Sequence, residues 1–466
     1  MTRIPVVALA AGLALFVVQF DLAVLLLLLP AMAGDLHRPA IELASLASLG
    51  FVLQTMVLPL SNWPSDRFGT RRTLLWALAA FAVCAIGCAF VSTYVELFLF
   101  RIGGGVAGAL VGPVARALVL KRTSGQDLVR ALNYLTGPML LAPAIAPPLG
   151  ALVAAQWGWR SAFFLTAASA GLCWIVAYTS LPKDDSSRIT NGFPWALAGF
   201  GSVGLVGALV GFDRLLLGQS LPAQMTGALL FAVGAGCLLT AWKREMVVAP
   251  DASILARRCF AYPTFATMLG AAGFAARIPL RALPILLPLH LQLGLGMSLR
   301  DTGLAMAGLS IGDVASRPFI QPILAIAGVR KALIALVPLA ALSMAVLVIP
   351  GSGASLVLVA SILFCAGFAR AVLFMLMSAL ALVDVPREQI GPASSAWNIF
   401  QQATNSVATT LCSFVLVLFH QSLAWDMQAA GRACALVLAG LLLTSLPMFA
   451  KLKPDAGQKL LPASGS

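Results

Sequence analysis

Charge is scarce in this chain. Charged residues fill 10% of its 466 positions, against about 25% in an average soluble domain, and only 17 residues are acidic and three are histidine. That scarcity excludes most site chemistry. No His, Cys, Asp and Glu spacing suits a metal, no glycine loop with lysine suits a nucleotide, and no nucleophile motif is present. Neither a cofactor nor a metal is expected, and the chain is not expected to be an enzyme. The eight cysteines form no disulfide or metal framework and lie in or beside apolar segments, where they read as reduced packing residues. His37, His290 and His420 are isolated; His290 could line the end of a cavity or sit at the membrane interface.

Long polar stretches are also lacking. Hydrophobic residues make up 60% of the chain and the mean hydropathy is +0.95. Apolar segments run over 6–29, 41–61, 73–92, 95–119, 134–155, 161–181, 193–217, 222–242, 261–291, 299–316, 332–350, 354–383, 393–419 and 429–450. Each is long enough to cross a bilayer, and at about 21 residues apiece they leave roughly 11 for each loop or tail. No separate soluble domain fits, which excludes a cytosolic enzyme, a large extracellular receptor and a nucleotide-hydrolysing pump. The first run follows a single arginine, is too long for a signal-peptide core and lacks a small-residue cleavage site, so it is expected to be a membrane helix. The expected fold class is all-α: a polytopic protein with 14 transmembrane helices.

The net charge of +13 does not point to nucleic acid, because the basic residues sit between the apolar segments and set orientation. With the N-terminus inside, cytoplasmic loops hold twenty Lys and Arg, from Arg3 through Lys459, and outer loops hold five: Arg38, Arg160, Arg214, Arg300 and Arg432. Both termini are therefore expected in the cytoplasm, with no nucleic-acid partner. The short outer loop near Asp213 and Arg214 leaves no room for an extracellular domain. A faint repeat links the halves. Gly69-Thr70-Arg71-Arg72 follows the second segment and Gly328-Val329-Arg330-Lys331 follows the tenth, the pattern expected of transporters built from repeats.

The loop Ser65-Asp66-Arg67-Phe68-Gly69-Thr70-Arg71-Arg72 resembles the signature loop of the major facilitator superfamily, with Asn62 and Pro64 where that family usually has glycine and leucine. A carboxylate and several cations at a tight glycine turn can form a network that latches one conformation. Arg101, Gly105, Ala109 and Pro113 follow the family's spacing in the fourth segment, with Gly104 in place of its usual glutamine. Pro143, Pro147 and Gly150 in Ala142-Pro143-Ala144-Ile145-Ala146-Pro147-Pro148-Leu149-Gly150-Ala151 resemble the antiporter signature, with Ala146 and Ala151 replacing glycines. Small residues there permit close helix packing and prolines bend the helix. Asp21 through Pro30 and Asn398-Ile399-Phe400-Gln401-Gln402 resemble elements of the fourteen-helix drug:proton antiporter branch. The resemblance implies two six-helix bundles, 1–182 and 259–466, with two inserted helices within 183–258. It implies a proton-coupled, multidrug-efflux type of exporter in a bacterial inner membrane, with Asp21 and Arg101 relaying protons and Asp66, Arg67, Gly69, Arg71 and Arg72 forming the latch.

Ionisable residues at bilayer depth are costly, and their default reading is function or pairing. Asp21 is the best proton carrier, since burial disfavours the charged carboxylate and a nearby arginine favours it; alternatively it is a fixed partner for a membrane arginine. Asp313 precedes Arg317 by four residues, an order that favours a structural ion pair. Five arginines, Arg101, Arg116, Arg277, Arg281 and Arg370, fall inside segments. Arg277 and Arg281 share one helix face. Either they and Arg370 make an electropositive substrate cavity that prefers anionic or neutral compounds, or some snorkel to the interfaces. Asn398, Gln401, Gln402, Asn405 and Thr409 share another face, which would line the cavity or form a hydrogen-bonded seam. The expected partners are a small-molecule substrate, protons and the lipid bilayer, and the chain is expected to be a monomer. An organic-anion facilitator or uptake symporter, and a non-transporting scaffold or sensor, are the alternatives.

Overall fold

A computed structural model describes residues 3–120, 126–182, 195–218, 220–245, 257–386 and 389–452. Within them every regular element is helical. The chain order is α1 (Arg3–Asp35), α2 (Ala40–Val57), α3 (Asn62–Phe68), α4 (Thr70–Phe90), α5 (Tyr94–Leu120), α6 (Gln126–Trp157), α7 (Trp159–Ser180), α8 (Trp195–Leu217), α9 (Leu221–Glu245) and α10 (Pro263–Leu269). There follow α11 (Ala271–Leu289), α12 (Leu299–Ala315), α13 (Ile320–Ala345), α14 (Leu356–Leu382), α15 (Ile390–Val417), α16 (Met427–Leu443) and α17 (Leu446–Ala450). Helix is what these apolar runs must adopt in lipid, where each backbone N–H and C=O needs a partner from its own segment. Lys121, Arg122, Lys183, Arg188, Arg387, Lys453 and Lys459, and the expected boundary at 182–183, lie outside the described residues.

Thirteen stretches are long and apolar enough to span a membrane, and one of these, Leu299–Val348, runs for 50 residues. It contains the tenth and eleventh expected segments, so all fourteen are present. The segments differ from expectation in continuity. Gly328 breaks α13 with φ 68° and ψ 165°. The ninth segment is two helices, because Gly270 at φ −84° and ψ −162° separates α10 from α11. Several helix starts carry side-chain caps: Ser298 accepts from Asp301 N, Ser355 from Leu358 N, and Asp426 from Ala429 N at 2.9 Å.

The chain divides into two compact units, Met1–Gly211 with Thr226–Ala241, and Phe212–Met225 with Trp242–Ser466. Residues of α8 and α9 fall in both units. In the first unit α1 packs along α6 with little between the backbones. A Cβ on Gly12 would lie 2.6 Å from the Leu135 carbonyl oxygen, and one on Gly150 would lie 3.1 Å from Val24. In the second unit Gly312 and Gly367 bring α12 and α14 together, since a Cβ on either would run into the partner backbone at Phe364 and Leu309. Lipid supplies no hydrophobic drive between helices, so such small-residue contacts hold them through dispersion and polar bonds.

The repeat seen in the sequence extends to the clamps within each unit. Gly69 takes φ 94° between α3 and α4, and Arg71 Nη2 donates to the Tyr178 carbonyl oxygen at 2.6 Å, near the end of α7. Gly328 takes φ 68°, and Arg330 Nη2 donates to the Ala450 carbonyl oxygen at 2.6 Å, at the end of α17. At the other ends, Arg160 Nη2 donates to Val91 O at 3.1 Å and Arg432 Nη2 to Pro350 O at 3.0 Å. Each unit thus uses one arginine at each end to tie its sixth membrane helix to the third or to the chain just after it.

Candidate functional site

In the first unit, Asp21 projects from the middle of α1 and Arg101 from the second turn of α5. Arg101 Nη1 donates to Asp21 Oδ2 at 2.7 Å, and the two side chains are 12% and 6% exposed. The expectation that these residues act together rested on resemblance; their juxtaposition follows from α1 and α5 crossing at this depth. Further down α5, Arg116 is half-buried and has no hydrogen bond or ion pair among the described residues. Its guanidinium remains an uncompensated cation.

The loop expected to act as a latch turns at Gly69 and has an aromatic floor. Arg67 lies over the Trp63 ring at 5.6 Å, while Arg71 lies over Tyr178 at 5.2 Å and also makes the carbonyl clamp. Thr73 Oγ1 donates to Pro64 O at 3.0 Å and so closes the turn around Gly69. Asp66 is half-buried on α3, and Arg72 is exposed at the start of α4. On α6, Pro147 and Gly150 are buried and Pro143 is half-buried; Gly150 meets Val24 of α1, three residues past Asp21. The α6 prolines and glycine therefore border the helix that carries Asp21.

The second unit holds the other charges, and here two expectations are corrected. Asp313 pairs with Arg370 Nη2, across α12 and α14, and not with Arg317. The glycine contact decides this: Gly312 immediately precedes Asp313 and Gly367 precedes Arg370 by three residues, so the helices touch where the two side chains emerge. Arg317 sits beyond the end of α12, exposed. Arg370 is accordingly neutralised and is not a free positive charge.

Arg277 is also placed differently from expectation. It is 0% exposed, and its Nη2 donates at 2.6 Å to Met268 O, which the break at Gly270 leaves without its helical partner. Its guanidinium carbon stands 3.9 Å from the centroid of Trp397 and 4.8 Å from that of Phe400. Aromatic faces stabilise a cation electrostatically, so Arg277 caps a broken helix from inside an aromatic box. Its Nε and Nη1 have no partner.

Arg281, one turn on, is half-buried. Its Nη2 donates to Gln401 Oε1 at 3.1 Å and its guanidinium lies 4.3 Å from the Phe374 centroid. No carboxylate pairs with it among the described residues. The polar stripe on α15 is partly turned on itself: Asn405 Nδ2 donates to Gln402 Oε1 at 2.9 Å, Asn398 Nδ2 to Ser394 O at 2.8 Å, and Thr409 to Asn405 O. Asn405 Oδ1 is buried without a donor. His290 is buried against Gly431.

Sequence reading passed over one residue. Asp213 is inside α8, and Thr410 Oγ1 of α15 donates to its Oδ1 at 2.7 Å. An acid within the apolar run 193–217 was the available signal, but its nearness to the outer loop masked it.

No metal-binding group of three or more His, Cys, Asp or Glu exists among the described residues. What the arrangement offers, among the described residues, is membrane-depth charge, paired in Asp21–Arg101 and Asp313–Arg370 and without a carboxylate in Arg116, Arg277 and Arg281.

Comparison with known proteins bears on the family and the fold. The chain is 28% identical over 417 residues to a probable transport protein, HsrA, of Haemophilus influenzae, covering 88% of this chain and 87% of the relative. It is 27% identical over 455 residues to the putative multidrug resistance protein MdtD of Cronobacter sakazakii, covering 94% and 93%. Among solved structures, the POT family transporter PepTSo superposes with a TM-score of 0.65 at 17% identity, over 96% of this chain and 97% of that one. A POT peptide transporter in complex with alafosfalin superposes with a TM-score of 0.68 at 16% identity, over 96% and 95%. The Major Facilitator Superfamily profile matches residues 11–409. The chain therefore belongs to the Major Facilitator Superfamily: it is a multi-pass inner-membrane transporter and not an enzyme, with relatives consistent with that superfamily's drug-efflux branch.

Proposed function

We propose that this transporter is a proton-driven exporter of small amphipathic organic compounds, working by alternating access. The Asp21–Arg101 pair carries the reading. The ionised carboxylate holds the guanidinium at 2.7 Å. Protonation removes the negative charge, weakens the pair and leaves Arg101 uncompensated at membrane depth. A proton can thereby change the contact between α1 and α5, which is the coupling an antiporter needs. Each proton crossing the membrane potential supplies roughly 2.3 kcal/mol per 100 mV, enough to bias such a cycle without a nucleotide. The name of HsrA supports transport, and that of MdtD, a putative multidrug resistance protein, supports export.

In this reading Asp66, Arg67, Gly69, Arg71 and Arg72 time the conformational change, while Arg281, Gln401, Gln402 and Asn405 meet the substrate. Both termini face the cytoplasm, the chain works as a monomer, and 1–182 and 259–466 act as the moving bundles with 183–258 as the insert. Anionic or neutral compounds are preferred, because Arg281 has no carboxylate of its own and a guanidinium in a low-dielectric site repels cations. The same arginine favours a second reading, an organic-anion facilitator or uptake symporter.

Proteoliposomes with an imposed pH gradient and cationic, neutral and anionic test compounds separate the two. Outward movement against the proton gradient supports the exporter; uptake with protons, or transport indifferent to the gradient, favours the alternative.

A further inference from the structure

Among the described residues, three carboxylates lie inside membrane-spanning helices, short of the terminal residue, and hydrogen-bond to another helix: Asp21, Asp213 and Asp313. Two of them face a guanidinium. Asp213 does not. It lies in the span Ala198–Leu217, half-buried, and among the described residues its hydrogen-bond partner is the Thr410 hydroxyl at 2.7 Å, with no cation at ion-pair distance. The neighbouring charge on its own helix is Arg214, which is exposed and turned about 100° away around the helix. Along α15 there is no charged residue, and on α9 the charged residues Lys243, Arg244 and Glu245 are confined to the last turn. Among the described residues no cation forms an ion pair with Asp213; Arg214 acts on it only through space, and a neutral hydroxyl is a weak substitute for a guanidinium.

We propose that Asp213 is a second proton-binding site of this transporter, carried by the inserted helix pair. The ionised form accepts the Thr410 hydroxyl. On protonation an O–H bond forms on the carboxyl group as one O–H bond of hydronium breaks, leaving water. Thr410 is then free to donate to the carbonyl four residues back, as its neighbour Thr409 does to Asn405 O at 2.9 Å. Proton occupancy at Asp213 is thus read out as the contact between α8 and α15, and α15 is the helix that bears Gln401 and Asn405. The inserted pair becomes part of the proton pathway instead of a passive linker. The idea rests on the proton-coupled reading above, but its test does not need a substrate.

Infrared difference spectra of the full-length protein in lipid nanodiscs, titrated from acid to alkaline pH with no compound added, report the C=O stretch of protonated carboxylic acids. One component of this signal is expected to belong to Asp213: present in the wild type, retained in Asp21→Asn and missing from the Asp213→Asn spectrum, in which the other carboxyl groups still absorb. Thr410→Val, which removes the donor to the ionised form, should keep the band and extend it to higher pH. An Asp213→Asn spectrum identical to wild type overturns the proposal, as does a Thr410→Val titration identical to wild type or a wild type with no such band. Failure of Asp21→Asn to alter gradient-driven transport would instead defeat the proposed function, a separate sample and readout.

Discussion

Arg370 of α14 donates to the carboxylate of Asp313 on α12, across two helices whose backbones touch at Gly312 and Gly367. The pair is stabilising only as a pair. Removing one member leaves a buried charge, at a cost of about 3–5 kcal/mol, whereas removing both is close to neutral. Arg370→Met alone should therefore lower the thermal stability of the purified protein sharply, and adding Asp313→Leu should restore most of it. Additive losses in the double variant would show that the two side chains do not compensate each other.

Arg281 is expected to set charge preference. Hydrogen bonds to charged groups contribute about 1.5–3 kcal/mol, so Arg281→Gln should slow transport of anionic test compounds roughly tenfold to hundredfold. Neutral compounds should be little affected. Arg370→Ala, which changes a charge already paired, should not show this selectivity. Equal losses for anionic and neutral compounds in Arg281→Gln would remove the residue from the substrate site.

The glycine turns are expected to tolerate no side chain. Gly69 and Gly328 sit at φ 94°, ψ 149° and φ 68°, ψ 165°, a region that costs other residues about 1–3 kcal/mol. Alanine at either position should lower the unfolding midpoint by a comparable amount. Asp66→Asn, on the short helix before Gly69, should slow all substrates alike without reordering them. A changed substrate ranking in that variant would mean that the loop contacts substrate.

Hydropathy made the helices legible, because lipid leaves the backbone no alternative, and the Gly-x-basic-basic repeat marked two turns that prove to share a backbone form and an arginine clamp. Pairing across helices was not legible. The i,i+4 spacing of Asp313 and Arg317 is a local cue, and it was overridden by the Gly312–Gly367 contact, which brings Arg370 from 57 positions away. The shared face of Arg277 and Arg281 was read correctly from spacing, yet their surroundings differ, because Gly270 interrupts the helix and leaves a carbonyl for Arg277 to satisfy. Asp213 was hidden for a similar reason. Its partner Thr410 lies 197 residues away, and no periodicity connects them.

The central claim is that protons drive the cycle through Asp21. The most direct test is efflux from proteoliposomes under an imposed pH gradient, comparing wild type with Asp21→Asn for the same neutral test compound. The account predicts gradient-driven movement in the wild type and none in Asp21→Asn, with the variant folded, inserted and still able to equilibrate the compound. Gradient-driven efflux at the wild-type rate in Asp21→Asn would contradict it.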